Sequence, residues 1–494
     1  MTAWPPDAGL ATTRLSDALA DAGVLTATRG DLPARVHGVT DDSRQVVAGG
    51  AIVAVRGAAA DGHAYLPKAE AAGAALAIVE DAAATSLPAL IVRDGRRAAA
   101  IAAATWYGRP ADTLRLLAVT GTNGKTTTVG MLRHLFDLPG APSASIGTLG
   151  VLAGSHGDPV PGGGGLTTPG PVELQRLLRL LADRGVRTVA METSSHALHQ
   201  QRVDGVAFAA AIFTNLTRDH LDYHGTMEAY FAAKASLVQH LAPDGVAIVN
   251  ADDAAWAALA PAGHRVVTFG MAAHADVRAD ALSFDGHGSR FTLRAFGDAA
   301  AVTLPLIGDF NVANALGAAA TAIACGHAVR AVVDRLHTLP QVPGRLERLA
   351  AVPTVLRDYA HTPDALERAL QAVRPFTPGR LRVVFGCGGD RDRGKRPVMG
   401  ELAERFADDV YLTSDNPRTE DPERILDDIE AGMRLGRHRR IEDRRAAIAA
   451  ALAEAATGDV VLLAGKGHET YQIRGTTSHP FDEAEIVRTL LAPS

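Results

Sequence analysis

Short apolar runs, each closed by a polar or glycine-containing turn, recur along the whole chain. Before residue 110 they read AIVAVRG, AALAIVE and ALIVRD, separated by Gly, Asp and Ala stretches. LRLLAVT at 114–120 follows, then a glycine-rich turn and a stretch of helical character, so this part predicts strand–loop–helix. RTVAMET, AAAIFTNL and GVAIVN add strands with helical stretches between them, the order expected of a parallel sheet. Near 286–306 the pattern becomes alternating, in SRFTLRAF and AVTLPL, and predicts an antiparallel edge. TLPQVPGRLE at 338–347, with two prolines and a glycine, is the candidate linker. Beyond it the rhythm restarts: PTVLRDYA, LRVVFGCGG, DVYLTSDNP and DVVLLAGKG read as strands, PDALERALQAVR and ERILDDIEAGM as helices. The expected fold class is α/β in three domains, at 1–110, 111–343 and 344–494.

In an open parallel sheet the carboxyl ends of the strands share one edge, and ligands bind there. GCGGDRDRGKRP, SDNPR and GKGHE each follow a predicted strand, so they are expected to converge although they are far apart in sequence.

Composition narrows the partners. A chain of 494 residues is too long for a single core. A net charge of −6 argues against a nucleic-acid scaffold, which would show a basic face. The only two cysteines, Cys325 and Cys387, make neither a disulfide framework nor a zinc cluster, and suit a reducing cytosol. The start MTAWPPDAGLATTRLSDALADAG lacks the basic-then-apolar order of a signal peptide. The longest uncharged run, between Asp309 and Arg330, is only mildly apolar and predicts a buried Ala-rich helix in place of a membrane span. A cytoplasmic protein without membrane insertion or nucleic acid is expected.

Lysine is nearly absent: Lys68, Lys125, Lys234, Lys395 and Lys466 are the only five among 49 Lys and Arg. A chain that otherwise uses arginine keeps lysine where a compact charge, or an amine that can become neutral or modified, is needed. Only Lys68 reads as an ordinary surface residue. Lys125 lies in GTNGKTTT at 121–128, between a strand and a helix. Gly121 and Gly124 would let the backbone, with Thr122, Asn123 and Thr127, close around a phosphate chain at a helix N-terminus. Lys125 would bridge the terminal phosphates and Thr126 offer a hydroxyl to Mg²⁺. The usual phosphate loop has a glycine where Val119 stands, so this is a shorter variant. Glu192 ends RTVAMET, and Asp219, His220 and Asp222 follow another strand in TNLTRDHLD. Acids and an imidazole at strand ends suit a metal–triphosphate site, with helix capping as the plain alternative for the two aspartates.

GTNGKTTT, METSSHAL, TNLTRDHLD, YFAAKASLV, GDFNVANAL, PGRLE, DYAHTPDAL, GCGGDRDRGK and GKGHE, in this order, resemble the Mur ligases over about residues 40–470. SDNPR at 414–418 resembles the members that add meso-diaminopimelate. The resemblance implies a small N-terminal α/β domain, a central P-loop-type, mostly parallel sheet and a C-terminal Rossmann-like domain. It implies an ATP- and Mg²⁺-dependent ligase in which the terminal carboxylate of UDP-N-acetylmuramoyl-dipeptide becomes an acyl phosphate that the incoming amine attacks. Lys234 matches a lysine carried as a carbamate, an anion helping to hold a second Mg²⁺; His220 matches a Mg²⁺-site histidine. Ser43 matches a uridine-nucleotide contact, and Thr167, Thr168, Ser194, Gln200 and Arg202 match residues around the muramoyl-dipeptide. Asn311 matches an adenine neighbour, and Arg345 and Asp358 a hinge-and-nucleotide pair. Arg391, Asp415, Asn416, Pro417, Arg418, Gly465 and Glu469 match the diaminopimelate pocket. Departures exist: Leu166 stands where some relatives have Asn, PGGGG at 161–165 reads as a flexible insertion, and Ala58–Ala60 offers a ligand only backbone.

The expected catalytic set is Lys125, Lys234, His220 and Glu192, in a monomeric enzyme of peptidoglycan synthesis. A ligase for L-lysine or a folylpolyglutamate-type substrate is the first alternative. A P-loop phosphotransferase would leave Arg391 and Arg418 idle, and a silent nucleotide-binding module would leave the filled chemical positions unexplained.

Overall fold

A computed structural model describes residues 8–57, 60–163, 165–261, 263–285 and 287–492. Ala58, Ala59 and Gly164, on which two of the readings above fall, lie outside the described residues. The chain forms two compact units, one comprising Met1–Val277 with Gly317–Ala328, the other Arg278–Leu316 with Val329–Ser494.

Besides the two-stranded pair Leu10–Ala11 with Arg35–Val36, the first unit carries two sheets. The smaller has the order Leu25–Arg29, Ala89–Val92, Leu76–Val79, Ala51–Val53, Val39–Thr40, parallel except at the Leu25–Arg29 edge. Leu15, Leu19, Leu76, Ile78, Leu90 and Trp106 share its core. The larger sheet runs from Ser143–Gly147 through Thr188–Glu192, Arg115–Thr120, Phe208–Phe213 and Leu241–Asn250 to Arg265–Gly270, all parallel. These strands read as unbroken apolar runs because helices cover both faces of a parallel sheet. Leu116, Ala118, Val189, Met191, Ala211 and Phe213 are buried together on one face. The register sets Glu192 opposite Val119 and Phe213 opposite Thr120, so three strands end level with one another. That alignment gathers GTNGKTTT, METSSHAL and TNLTRDHLD at one edge. Two short antiparallel strands, Gly150–Ala153 and Asp158–Val160, extend the sheet beyond Ser143–Gly147, which the sequence did not predict.

In the second unit the strand order is Glu347–Ala351, Thr354–Asp358, Val460–Ala464, Leu381–Phe385, Asp409–Leu412, His438–Arg440. All pairs are parallel except the first. Asp358 is level with Ala464, and Phe385 with Leu412, so the three predicted ligand loops leave the same edge. Arg444 and Glu483 form a fully buried ion pair at 2.8 Å, and Arg444 also donates to the Ala464 carbonyl, immediately before GKGHE. The expected antiparallel pair is present as Gly288–Ala295 with Asp298–Leu304. The uncharged run forms the helix Asp309–Ala324, with Val312, Ala315, Leu316 and Ala319 buried. Among the described residues no helix is long and apolar enough to cross a membrane.

Candidate active site

The phosphate loop leaves the Arg115–Thr120 strand and enters the Lys125–Phe136 helix. A side chain on Gly121 would lie 1.9 Å from the Thr214 hydroxyl, and its φ of 145° disfavours any other residue. The loop is tied to the exit of the neighbouring strand. Thr122 N donates to the Asn215 carbonyl (2.7 Å), Asn123 N to Asn215 Oδ1 (2.8 Å), and the Thr214 hydroxyl to the Asn123 carbonyl (2.7 Å). Half-buried Lys125 turns back so that Nζ donates to the carbonyls of Gly121 (3.0 Å) and Thr122 (2.8 Å).

Lys234 stands beneath this loop. Its helix, Met227–Ala235, is capped by Thr226, whose hydroxyl accepts from Ala229 N. The side chain is 1% exposed; Nζ donates to Gly121 O at 2.6 Å and lies 4.5 Å from the centre of the Tyr230 ring. Burial first, then the charge of Lys125, holds its pKa well below the ordinary 10.5. That shift favours the unprotonated amine, the form that carbamate formation requires.

Glu192 is 2% exposed and accepts from Thr148 N (2.8 Å) and the Thr148 hydroxyl (3.2 Å). His220 adopts φ 53°, a strained conformation for a residue with a side chain, and its Nε2 lies 3.4 Å from Asp219. Among the described residues no three His, Cys, Asp or Glu side chains group closely enough to hold a metal ion. The predicted Mg²⁺ set draws only two members, Glu192 and His220, from those residue types; Thr126 and a carbamate on Lys234 complete it. The buried Glu192 carboxylate and the Thr126 hydroxyl are hard oxygen donors of the kind Mg²⁺ prefers, so these residues fit the ion.

Sequence reasoning missed the ring cluster around His220. His196 lies 4.8 Å from His220, 4.2 Å from Tyr223 and 5.4 Å from His224, centre to centre. These residues come from two segments, one at 196 and the other at 220–224, and only packing unites the two. Burial first, then repulsion from His220 and His224, pushes His196 from 6.5 to about 4; burial also lowers His220 and His224. The unfolded chain therefore binds more protons than the native one between pH 6.5 and about 4, and stability falls as pH drops through that window. Thermal midpoints should decline across it, and His196→Gln should flatten part of the decline. An unchanged slope in that variant would contradict the assignment.

Five of the six predicted UDP-substrate residues form one network. The Thr168 hydroxyl donates to Glu192 O (2.8 Å) and accepts from Ser194 N (3.0 Å). Arg202 donates to Thr168 O (2.8 Å) and to Gln200 Oε1 (2.7 Å), while Gln200 donates to the Tyr223 hydroxyl (3.0 Å). Thr167 and Thr148 share a hydroxyl–hydroxyl bond of 3.2 Å. A cleft of about 760 Å³ lies in the same unit, lined by Thr40, Asp41, Arg44, Trp106, Tyr107 and Arg176 among others. Ser43 itself is not among the lining residues, although its neighbours are. Leu166 also lines this cleft, and Gly163 of the glycine-rich stretch donates its N–H to Glu173 (3.0 Å).

In the second unit Asp358 accepts from Leu346 N (2.7 Å) and Ala360 N (2.8 Å), and the Arg345 guanidinium lies 4.7 Å from the Tyr359 ring centre. Burial raises the Asp358 pKa, with Arg345 opposing the shift. Asn311 donates to Ile307 O (2.7 Å), and its buried Oδ1 has no hydrogen bond among the described residues. Arg418, at φ 52°, donates from its side chain to Gly389 O (2.9 Å) and from its backbone to Ile473 O (3.1 Å). A side chain on Gly388 would sit 2.9 Å from Arg418 and 3.7 Å from Arg391, so both guanidinium-bearing chains border that glycine. On Pro417, whose carbonyl accepts from Glu420 N, the chain turns away from Asn416. One on Gly465 would sit 2.7 Å from Asp415 Oδ2, a buried oxygen without a hydrogen-bond partner among the described residues. Asn416 donates to Glu469 at 2.8 Å. All seven predicted amino-acid-pocket residues thus lie on the converging loops.

Three family models match: the Mur ligase family catalytic domain at 35–117, the Mur ligase middle domain at 119–322 and the Mur ligase glutamate ligase domain at 344–467. A relative from Geobacillus kaustophilus (strain HTA426), named UDP-N-acetylmuramoyl-L-alanyl-D-glutamate--2,6-diaminopimelate ligase, is 44% identical over 90% of this chain and 93% of its own. One of the same name from Gloeobacter violaceus (strain ATCC 29082 / PCC 7421) is 45% identical over 97% and 98%. A solved structure of a ligase so named is similar with TM-score 0.69 and 35% identity, over 94% of this chain and 96% of the other. The chain belongs to the Mur ligase family.

Proposed function

We propose that this chain is the ATP-dependent ligase that joins meso-diaminopimelate to UDP-N-acetylmuramoyl-L-alanyl-D-glutamate in peptidoglycan precursor synthesis. One observation carries the choice of amine. The converging loops of the second unit carry two carboxylates, Asp415 with an unpartnered oxygen and Glu469 bonded to Asn416, and two arginines, Arg391 and Arg418, that both border Gly388. Carboxylates for the ammonium groups and arginines for the carboxylates complement a ligand that has two of each.

The loop amides of residues 121–127 and Lys125 cradle the triphosphate of ATP; Asn311, Arg345 and Asp358 keep the nucleotide roles that the family resemblance gives them. Ser43 holds the uridine end of the other substrate. Thr167, Thr168, Ser194, Gln200 and Arg202 orient its dipeptide so that the terminal carboxylate meets the γ-phosphate. Phosphoryl transfer gives an acyl phosphate; the incoming amine attacks its carbonyl, and phosphate departs from the tetrahedral intermediate. Lys125 neutralises charge that grows on the transferred group. Thr126, Glu192, His220 and carbamylated Lys234 would hold Mg²⁺, which supplies further charge neutralisation when bound. We assign the three tasks to 1–110 (UDP-substrate), 111–343 (ATP) and 344–494 (amino acid), in a cytoplasmic monomer.

Diaminopimelate differs from lysine by one carboxylate and the stereocentre bearing it. A pocket whose arginine would be left desolvated and unpaired rejects the analogue lacking that group. Arg418→Ala should raise the diaminopimelate KM about a hundredfold and narrow the preference over L-lysine, with ATP affinity little changed. Steady-state kinetics with both amines tests this; unchanged selectivity in the variant would show that the pocket has been misread.

A further inference from the structure

Lys466 is fully buried, an environment lysine enters rarely unless paired. Its Nζ donates to Asn416 Oδ1 (3.1 Å) and Glu469 Oε2 (3.3 Å). Asn416 Oδ1 also accepts from Ile473 N (2.9 Å), and its Nδ2 donates to the same Glu469 oxygen (2.8 Å). The amide can stand only one way. Turned over, it would set its NH₂ against an ammonium and an N–H, and its oxygen against a carboxylate. Glu469 Oε2 is thus occupied twice, whereas Oε1 makes no hydrogen bond among the described residues.

We propose that Lys466 is a positioning residue for amine selection: its ammonium locks Asn416 and one oxygen of Glu469, leaving the other oxygen for an ammonium of the incoming amino acid. This rests on the ligase reading above and deepens it. The lysine has a second effect through its charge. It offsets one of the two pocket carboxylates, Asp415 and Glu469. A ligand of net charge zero with two carboxylates then gains over one of net charge +1. An arginine would not serve, because its larger planar head has no room in a fully buried site.

Lys466→Met keeps the apolar stem and removes the donor. With ATP and the UDP-dipeptide saturating, it should raise the diaminopimelate KM about tenfold to a hundredfold. The KM for ATP should stay within about twofold, and the preference over L-lysine should narrow. Glu469→Gln tests the route of action. If Lys466 acts through Glu469, the double variant should lose much less than the product of the two single losses. An unchanged KM, a uniform decline of every kinetic constant with the melting temperature, or multiplicative losses would each overturn the proposal. Lys466→Gln, which keeps a donor without charge, provides the same readouts if the Met variant does not fold. An unmodified enzyme that used L-lysine equally well would overturn the diaminopimelate reading instead. The same KM comparison, made with L-lysine, would then decide the positioning role.

Discussion

Lys125→Ala should lose turnover by about a thousandfold or more while the protein folds as before. The expectation follows from position. The side chain is half-buried at the start of the Lys125–Phe136 helix, and its Nζ donates to the carbonyls of Gly121 and Thr122. It adds nothing to either core, so its removal should leave the melting temperature nearly unchanged. A triphosphate entering the loop would draw Nζ off those carbonyls, and in the variant the charge developing during phosphoryl transfer would go unmatched. Activity and melting curves on the same preparation check this. Near-normal turnover would refute the phosphate-loop assignment.

Lys234→Arg should fall to about one per cent of normal activity, although arginine is the usual conservative replacement for lysine. Two properties of Lys234 require an amine. Burial and Lys125 lower its pKa and so favour the unprotonated amine, and the 2.6 Å bond to Gly121 ties it to the floor of the phosphate loop. Guanidinium cannot capture CO₂, and its bulk has no space in a site 1% exposed. Lys234→Ala should be partly rescued by a small carboxylic acid that refills the anionic position. A fully active arginine variant would leave Lys234 as a structural lysine only.

The parts of this molecule that were legible in the sequence are those written in contiguous residues. LRLLAVT followed by GTNGKTTT announces strand, loop and phosphate site together, because close approach of backbone to phosphate needs glycines at fixed spacing. RTVAMET, DVYLTSDNP and DVVLLAGKG announce buried parallel strands in the same way. The strands Gly150–Ala153 and Asp158–Val160 were not legible: GVLA and DPV are too short and too glycine- and proline-marked to show a period. The His196–Tyr223–His224 cluster was missed because ring packing has no local signature. Lys466 was singled out by lysine scarcity, yet its partner Asn416 is fifty positions away in sequence, and only the register of the parallel sheet brings the two together. Ser43 shows the converse: a residue matched by motif whose neighbours, and not itself, line the cleft.

The central claim is the identity of the bond formed. The purified protein should be incubated with ATP, Mg²⁺ and UDP-N-acetylmuramoyl-L-alanyl-D-glutamate, with meso-diaminopimelate or L-lysine as amine, while phosphate release and product mass are followed. The account predicts stoichiometric phosphate and a product heavier by one diaminopimelate less water, with little product from lysine. Equal lysine product, or phosphate release with no new amide, would contradict it.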